Sequence, residues 1–309
     1  MPPFAALAPF GAAMPKFAQT SDKPEPFGYK VSWFAVKASD PALVLDALAF
    51  GEGTQANWAS GLEVAIPPPG IALRNAPWVF ISPAISGWVL VIGTLLPYPV
   101  APTEPHLEPQ HHIGRKFDLV FSRLMMRFDD VQFFGSYRVA DFVAWARARK
   151  GEPKRIFAYA DGEVYVNIGE QTPEEATLKL ANFSGLSPPE ASARMLKMQE
   201  EQEAELWSEA MSHSWTIRFL EQHIADKRIL RLVAKWLKIR GRPSREAQIR
   251  ILQNPRVVPN EQDVIDLAAL WSINPIRLPY APHPLGLGLA ARLPRSIAEF
   301  WPPSGTFDS

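Results

Sequence analysis

Three groups of residues in this chain have the types and spacing for chemistry. His106, Glu108, His111 and His112 crowd into one proline-rich stretch. Imidazoles with a carboxylate make a zinc-ligand set when a second layer of hydrogen bonds holds them in place. Adjacent histidines in a linker have no such support, so they are read as solvated, and no metal or cofactor is expected. The carboxylates Asp129, Asp130, Asp141, Asp161, Glu163 and Glu170 are scattered around candidate strands. Glycoside hydrolysis needs two carboxyl groups facing each other across the scissile bond, and no spacing here selects a pair. Lys227, Arg228, Arg231, Lys235, Lys238, Arg240 and Arg242, followed by Arg245, form a basic run able to meet phosphates. Residues 211–258 carry 11 Lys and Arg against 3 Asp and Glu. A Gly-x-Ser-x-Gly nucleophile elbow and a phosphate-binding Gly-x-x-x-x-Gly-Lys loop are both missing from the sequence. Gly286 and Gly288 hint at a dinucleotide turn, but prolines flank them and too little chain follows for a βαβ unit.

The elements that must position these groups read as follows. Gly28–Lys37 is a first strand. Asp40-Pro41 caps a helix over Ala42–Phe50, with proline at the first helical position. From Asn75 to Thr103 there is no charge. A membrane span needs roughly 20 apolar residues, but Pro83 and Ser86-Gly87 interrupt this stretch, so a buried hairpin over 78–93 is expected. A linker runs from Pro97 to His112. Helices are expected over Arg115–Arg127 and Val139–Lys150, the second ended by Gly151. Val131–Tyr137 is a strand. Arg155–Ala160 and Glu163–Asn167 flank Asp161-Gly162, a two-residue hairpin turn. Thr172-Pro173-Glu174-Glu175 starts another helix, and Val264, Leu267, Ala268 and Trp271 mark the last one before a proline-rich tail.

The fold class is therefore α+β: an antiparallel or mixed sheet with flanking helices, plus an all-helical insertion. Residues 1–27 read as a disordered extension, 28–185 as the α+β domain, 186–258 as the insertion, and 259–309 as the returning helix and tail. The 31 prolines are about twice ordinary usage and favour extended connections. The absence of cysteine excludes disulfides, zinc thiolates and cysteine nucleophiles, and fits a cytoplasmic protein. A net charge of zero argues against a nucleic-acid coat or an anionic-membrane binder for the chain as a whole, and no membrane partner is expected.

The basic run has an amphipathic frame. Asp226 caps a helix on which Ile229, Leu232, Val233, Trp236 and Leu237 form one apolar stripe, with Arg228, Arg231, Lys235 and Lys238 opposite. Such a face is solvated, meets RNA phosphates, or pairs with the acidic stretch Glu190–Glu209. The aromatic residues Trp58, Trp88, Phe133 and Phe134 are core residues or candidates for a partner interface.

Two resemblances follow. Lys30–Lys37, Trp58–Glu63, Gly87–Gly93, Val131–Val139, Thr172–Glu175 and Asp263–Pro275 resemble segments of an uncharacterised family of bacterial cytosolic proteins. The resemblance covers 28–182 and 259–278 and implies a compact α+β domain with no implied activity. In that family the Thr-Pro-Glu helix and the last, tryptophan-bearing helix lie closer together in sequence, which marks 186–258 as inserted. Residues 211–238, with His213 and His223, resemble a helical fragment of group II intron reverse transcriptases. Polymerase chemistry needs carboxylates from separated motifs to hold its metal ions. In the family's register Glu203 stands where the first aspartate belongs, without its aromatic neighbours. No Tyr-Ala-Asp-Asp follows residue 238. Tyr159-Ala160-Asp161-Gly162 and Phe128-Asp129-Asp130 lie upstream, in the wrong order. The fragment implies no polymerase.

The expectation for function is a non-catalytic, cytosolic protein-binding module of immunity or antitoxin type. The alternatives are an RNA-associated protein using the basic helix 227–245, and a hydrolase of unknown substrate in the α+β domain.

Overall fold

The computed structural model describes residues 15–67, 77–100, 108–212, 224, 226, 229, 254–280, 286–294 and 296–297, with only the backbone described for 108–113 and 206–212. One antiparallel sheet of nine strands organises them. The strands are β1 (Ser32–Val36), β2 (Gly53–Ala56), β3 (Trp78–Ile81), β4 (Val89–Gly93), β5 (Asp130–Tyr137), β6 (Phe142–Arg149), β7 (Glu152–Ala160), β8 (Glu163–Ile168) and β9 (Gly288–Arg292). Their spatial order is β2-β9-β3-β4-β1-β5-β6-β7-β8.

Side-chain alternation along each strand feeds two cores, one on each face of the sheet. In β1, Trp33 and Ala35 face one core while Phe34 and Val36 face the other. That explains why β1 and β4 read as unbroken apolar runs. The first core is closed by helices α2 (Trp58–Ala65), α4 (Pro173–Thr177), the start of α5 (Pro188–Ser212), and α6 (Glu261–Trp271). The second is closed by α1 (Pro41–Leu48) and α3 (Glu108–Met125), whose Phe117 and Phe121 stack at 5.2 Å over Phe34 and Phe133. No helix among the described residues is long and apolar enough to cross a membrane.

The α+β class, the 78–93 hairpin and the Asp161-Gly162 turn are as the sequence implies. Asp161 (φ 49°) and Gly162 (φ 87°) both take the left-handed conformation that such turns require. Several expectations are corrected. Val139–Lys150 is not a helix; it contains strand β6. Its alanines suggested helix propensity, but Ala144, Ala146 and Ala148 lie opposite Gly135, Phe133 and Val131. Small side chains are needed there to leave room for the phenylalanines under α3, and packing overrides propensity. The 97–112 linker is shorter than expected, because α3 begins at Glu108. The glycine-rich start of the tail is a strand: β9 inserts between β2 and β3. A Cβ on Gly288 would lie 2.3 Å from the Ile81 carbonyl oxygen and one on Gly61 2.2 Å from the Phe80 ring, so both positions demand glycine.

Residues 15–27, expected to be disordered, form a strap without helix or strand, whose Ala18, Thr20 and Asp22 bond to the start of α2. The 186–258 segment is anchored inside its expected limits. Ala191 and Met195 of α5 are buried in the first core, and the Ser192 hydroxyl accepts from the Val164 N–H at 2.8 Å. On the return, Arg256 pairs with Leu180 as a parallel bridge, and the Ala181 N–H donates to the Arg256 carbonyl at 3.0 Å.

Candidate partner cleft

A cleft of about 620 Å³ opens where three connections meet. Tyr29-Lys30 lead into β1, the 3-10 turn Arg138–Ala140 with Asp141 joins β5 to β6, and Val258–Gln262 enter α6. The β1–β5 register, Ser32 opposite Gly135, runs on to place Tyr29-Lys30 beside the start of that turn.

Each connection is pinned. Asn260 caps α6, accepting from the N–H groups of Gln262 (2.8 Å) and Asp263 (3.3 Å), and Asp263 returns a bond from the Asn260 N–H (2.8 Å). That capping box satisfies donors that would otherwise be orphaned at a helix start. Asp263, 1% exposed, also pairs with Arg256. Glu261 Oε1 accepts from the Lys30 N–H at 3.4 Å and from the Ser136 hydroxyl at 3.2 Å. The Tyr29 hydroxyl donates to Gln262 Oε1 at 2.9 Å.

The cleft rim holds backbone strain. Lys30 (φ 55°) and Asp141 (φ 45°) both occupy the left-handed region, which costs an ordinary residue about 1–2 kcal/mol. Strained non-glycine positions cluster where the chain is shaped for a task. The Lys30 ammonium and Arg138 guanidinium make no hydrogen bond or ion pair among the described residues. The Asp141 carboxylate faces out, and Val139 is 75% exposed beside it. The cleft thus offers two cations, the carboxylates of Asp141 and Glu261, and an exposed valine on the adjoining turn.

A second polar cluster lies buried between the sheet and helices α4 and α6. Arg155 and Glu175 pair at 3.0 Å, each side chain 2% exposed. Glu175 also accepts from Trp145 Nε1 (2.9 Å) and the Thr172 N–H (2.7 Å), and Arg155 donates to Asn167 and two carbonyls. Arg147 pairs with Asp130 at 2.8 Å and lies over the Trp271 ring at 5.3 Å. Gln132 Nε2 donates to Asp130 and to the Trp271 carbonyl, while Gln132 Oε1 and Trp271 Nε1 are buried without partners among the described residues. The acids here are saturated by their own neighbours, which suits cross-bracing of α4 and α6 rather than proton transfer to a substrate.

The residues singled out from sequence fall as follows. Trp58, Phe133 and Phe134 are at most 1% exposed, and Trp88 is 7% exposed under the Lys37 ammonium. As free interface residues they are corrected to core: Phe134 stacks on Trp33 and Phe133 packs under Phe117. Lys227, Arg228, Arg231, Lys235, Lys238, Arg240 and Arg242 lie outside the described residues, as do Arg245, His106, His213 and His223. No group of metal-ligating side chains stands among the described residues. Burial raises the Asp118 pKa, and desolvation, with Asp141 second, raises that of Tyr159. The side-chain and charge contacts of Lys154 lower Glu152, and Ser187 lowers Glu190. Sequence reasoning missed the cleft because a helix started at Val139 hides the Arg138–Asp141 turn. The available signal was Arg138-Val139-Ala140-Asp141 itself, a break between two alternating runs.

No family model, curated protein or solved structure matches this chain.

Proposed function

We propose that this chain is a non-catalytic protein-binding module of immunity or antitoxin type, whose partner seats in the cleft between Tyr29-Lys30, Arg138–Asp141 and Val258–Gln262. The observation that carries this reading is the cleft itself: about 620 Å³, open, and rimmed by Lys30, Arg138 and Asp141, with Val139 exposed on the same Arg138–Asp141 turn outside its lining. Groups of both signs beside an exposed valine suit a polypeptide surface, where charge sets register and apolar contact holds. A cytosolic setting agrees with the cysteine-free sequence. The buried acids Glu175 and Asp263 are each consumed by an arginine and a helix cap, which counts against the hydrolase reading. The RNA-associated reading rests on the 227–245 basic run alone.

The test is a photo-crosslinking residue placed at Val139 in the native host, with a control at Leu43 on the opposite layer. A discrete adduct from 139, absent from 43 and abolished by Lys30→Glu with Arg138→Glu, is expected. Adducts of equal yield at both positions, or none at 139, would overturn the reading.

A further inference from the structure

The strap at 15–27 contributes no helix or strand, yet it is seated like a bound peptide. Phe17 meets Trp78 edge-on at 5.4 Å. The backbone of Ala18 pairs in both directions, its N–H to the Ser60 hydroxyl (3.2 Å) and its carbonyl from the Asn57 N–H (2.9 Å). The Asn57 side chain donates to the Thr20 carbonyl at 3.1 Å. Asp22 then lays its carboxylate on the start of α2: Oδ1 accepts from the Trp58 N–H (2.7 Å) and Oδ2 from the Ala59 N–H (2.9 Å).

Helix α2 already has its own cap, because Asn57 Oδ1 accepts from the Ser60 N–H at 3.0 Å. Asp22 takes the two remaining first-turn donors from 36 residues upstream of Trp58. The groove therefore reads an aromatic side chain, a short backbone pairing and, five residues after the aromatic, a carboxylate. The strap itself is shallow: Lys16 and Ala18 through Ser21 are exposed, and Phe17 is only half-buried. Phe27, buried in the core, fixes its far end, with Pro24 and Pro26 in the connection. Such pairing of side-chain anchors with main-chain bonds is how extended peptides are recognised between proteins.

We propose that the groove formed by the α2 N-terminus, Asn57, Ser60 and Trp78 is a second protein-binding site. It takes an extended partner segment with an aromatic residue and a carboxylate five positions later, and the chain's own Phe17–Asp22 holds it closed. This site does not rest on the cleft: β2 and β3 are separated from β5 by β4 and β1. Residues 17–22 act as a tethered competitor, whose effective concentration lies in the millimolar range for a short connection of this kind. An outside segment engages only when it out-competes the strap or the strap is otherwise removed.

The experiment uses the full chain in two forms, intact and Phe17→Ala/Asp22→Asn, with a labelled synthetic peptide of residues 15–26 as the probe. Anisotropy is expected to saturate on the double variant and to show at least about tenfold weaker binding on the intact chain. A peptide carrying Asp22→Asn is expected not to bind. Failure to saturate on a double variant that melts like the intact chain, or equal binding to both, overturns the proposal. Amide exchange on the intact chain is the second measurement. The Trp58 and Ala59 amides should exchange by local opening, faster than Gly61 of the same helix. Exchange of all three only through global unfolding makes the strap a fixed part of the fold and overturns it equally.

Discussion

Arg155 on β7 and Glu175 on α4 meet at 3.0 Å with both side chains almost wholly out of water. The pair ties a five-residue helix to the sheet, and Trp145 and Thr172 complete the carboxylate's bonding. Removing one charge leaves the other buried and uncompensated. Glu175→Ala is expected to lower unfolding free energy by about 3–5 kcal/mol in urea titration. Replacing both, Arg155→Met with Glu175→Leu, should recover most of that loss, because the desolvation of two ions is removed with their attraction. A double variant as unstable as the single one would show that packing around Trp145, not charge, dominates here.

The sheet's other half depends on Phe80, which lies where Gly61 of α2 and Gly288 of β9 leave no room for a Cβ. Gly61→Ala is expected to cost about 1–3 kcal/mol by forcing the ring aside. Trimming the ring with Phe80→Leu should make the alanine nearly harmless, so the two changes couple in a double-mutant cycle. Gly288→Ala meets a backbone oxygen as well, at 2.3 Å, and Phe80→Leu should not rescue it.

The legible parts of this fold were those with short-range signals. Asp40-Pro41, Thr172-Pro173 and Asp161-Gly162 fix their caps and turn through neighbouring atoms, and each stands where its sequence places it. The illegible parts were set by distant partners. Ala144 and Ala146 look helical until Phe133 is known to lie opposite. Gly53–Ala56 and Gly288–Arg292 carry little apolar pattern and are strands because each pairs with the other, far along the chain. The cleft suffered the same way, since Tyr29, Arg138 and Gln262 are neighbours only after β1, β5 and α6 have docked. The strap was missed because its anchors, Phe17 and Asp22, bind Trp78 and the Trp58 N–H, 61 and 36 positions on.

Gln202 of α5 and Pro255, 53 positions apart in the chain, stand side by side. Gln202 Nε2 donates to the Pro255 carbonyl at 3.0 Å, and the Arg256 N–H donates to the Lys179 carbonyl just beside it. Ends this close can be joined by a short flexible link at small loop-closure cost. Replacing 204–253 with a Gly/Ser linker is expected to leave a cooperative urea transition, changed in midpoint by no more than a single mild mutation would change it. Loss of the transition would mean that the removed residues complete the first core.

Tyr159 carries a pH dependence whose sign can be worked out. Desolvation is the main cause that raises its pKa above 10.0, with Asp141 second. The unfolded chain then loses the phenolic proton first, so the folded state's advantage is full below about pH 10 and falls as pH climbs toward the folded pKa. Stability measured by urea titration should decline through that alkaline window. Tyr159→Phe should flatten the decline at the cost of a modest constant loss at neutral pH, where the Gly162 contact is gone. An unchanged slope in the variant would assign the alkaline decline to other groups, with Tyr165, also raised by burial, the first to examine.

Lys30 joins stability to the cleft. Its left-handed backbone suits glycine, and its ammonium stands free among the described residues. Lys30→Gly is expected to raise stability by up to about 1 kcal/mol, since the relief of strain exceeds the extra entropy glycine gains when unfolded. The same change removes one of the two rim cations, so the partner adduct from position 139 should weaken. Lys30→Ala separates the two effects: the charge goes while the strain stays, so binding should fall with no gain in melting temperature. A glycine variant that is more stable and binds as well as the original would mean that the left-handed turn serves the chain's path into β1 and that Lys30 takes no part in recognition.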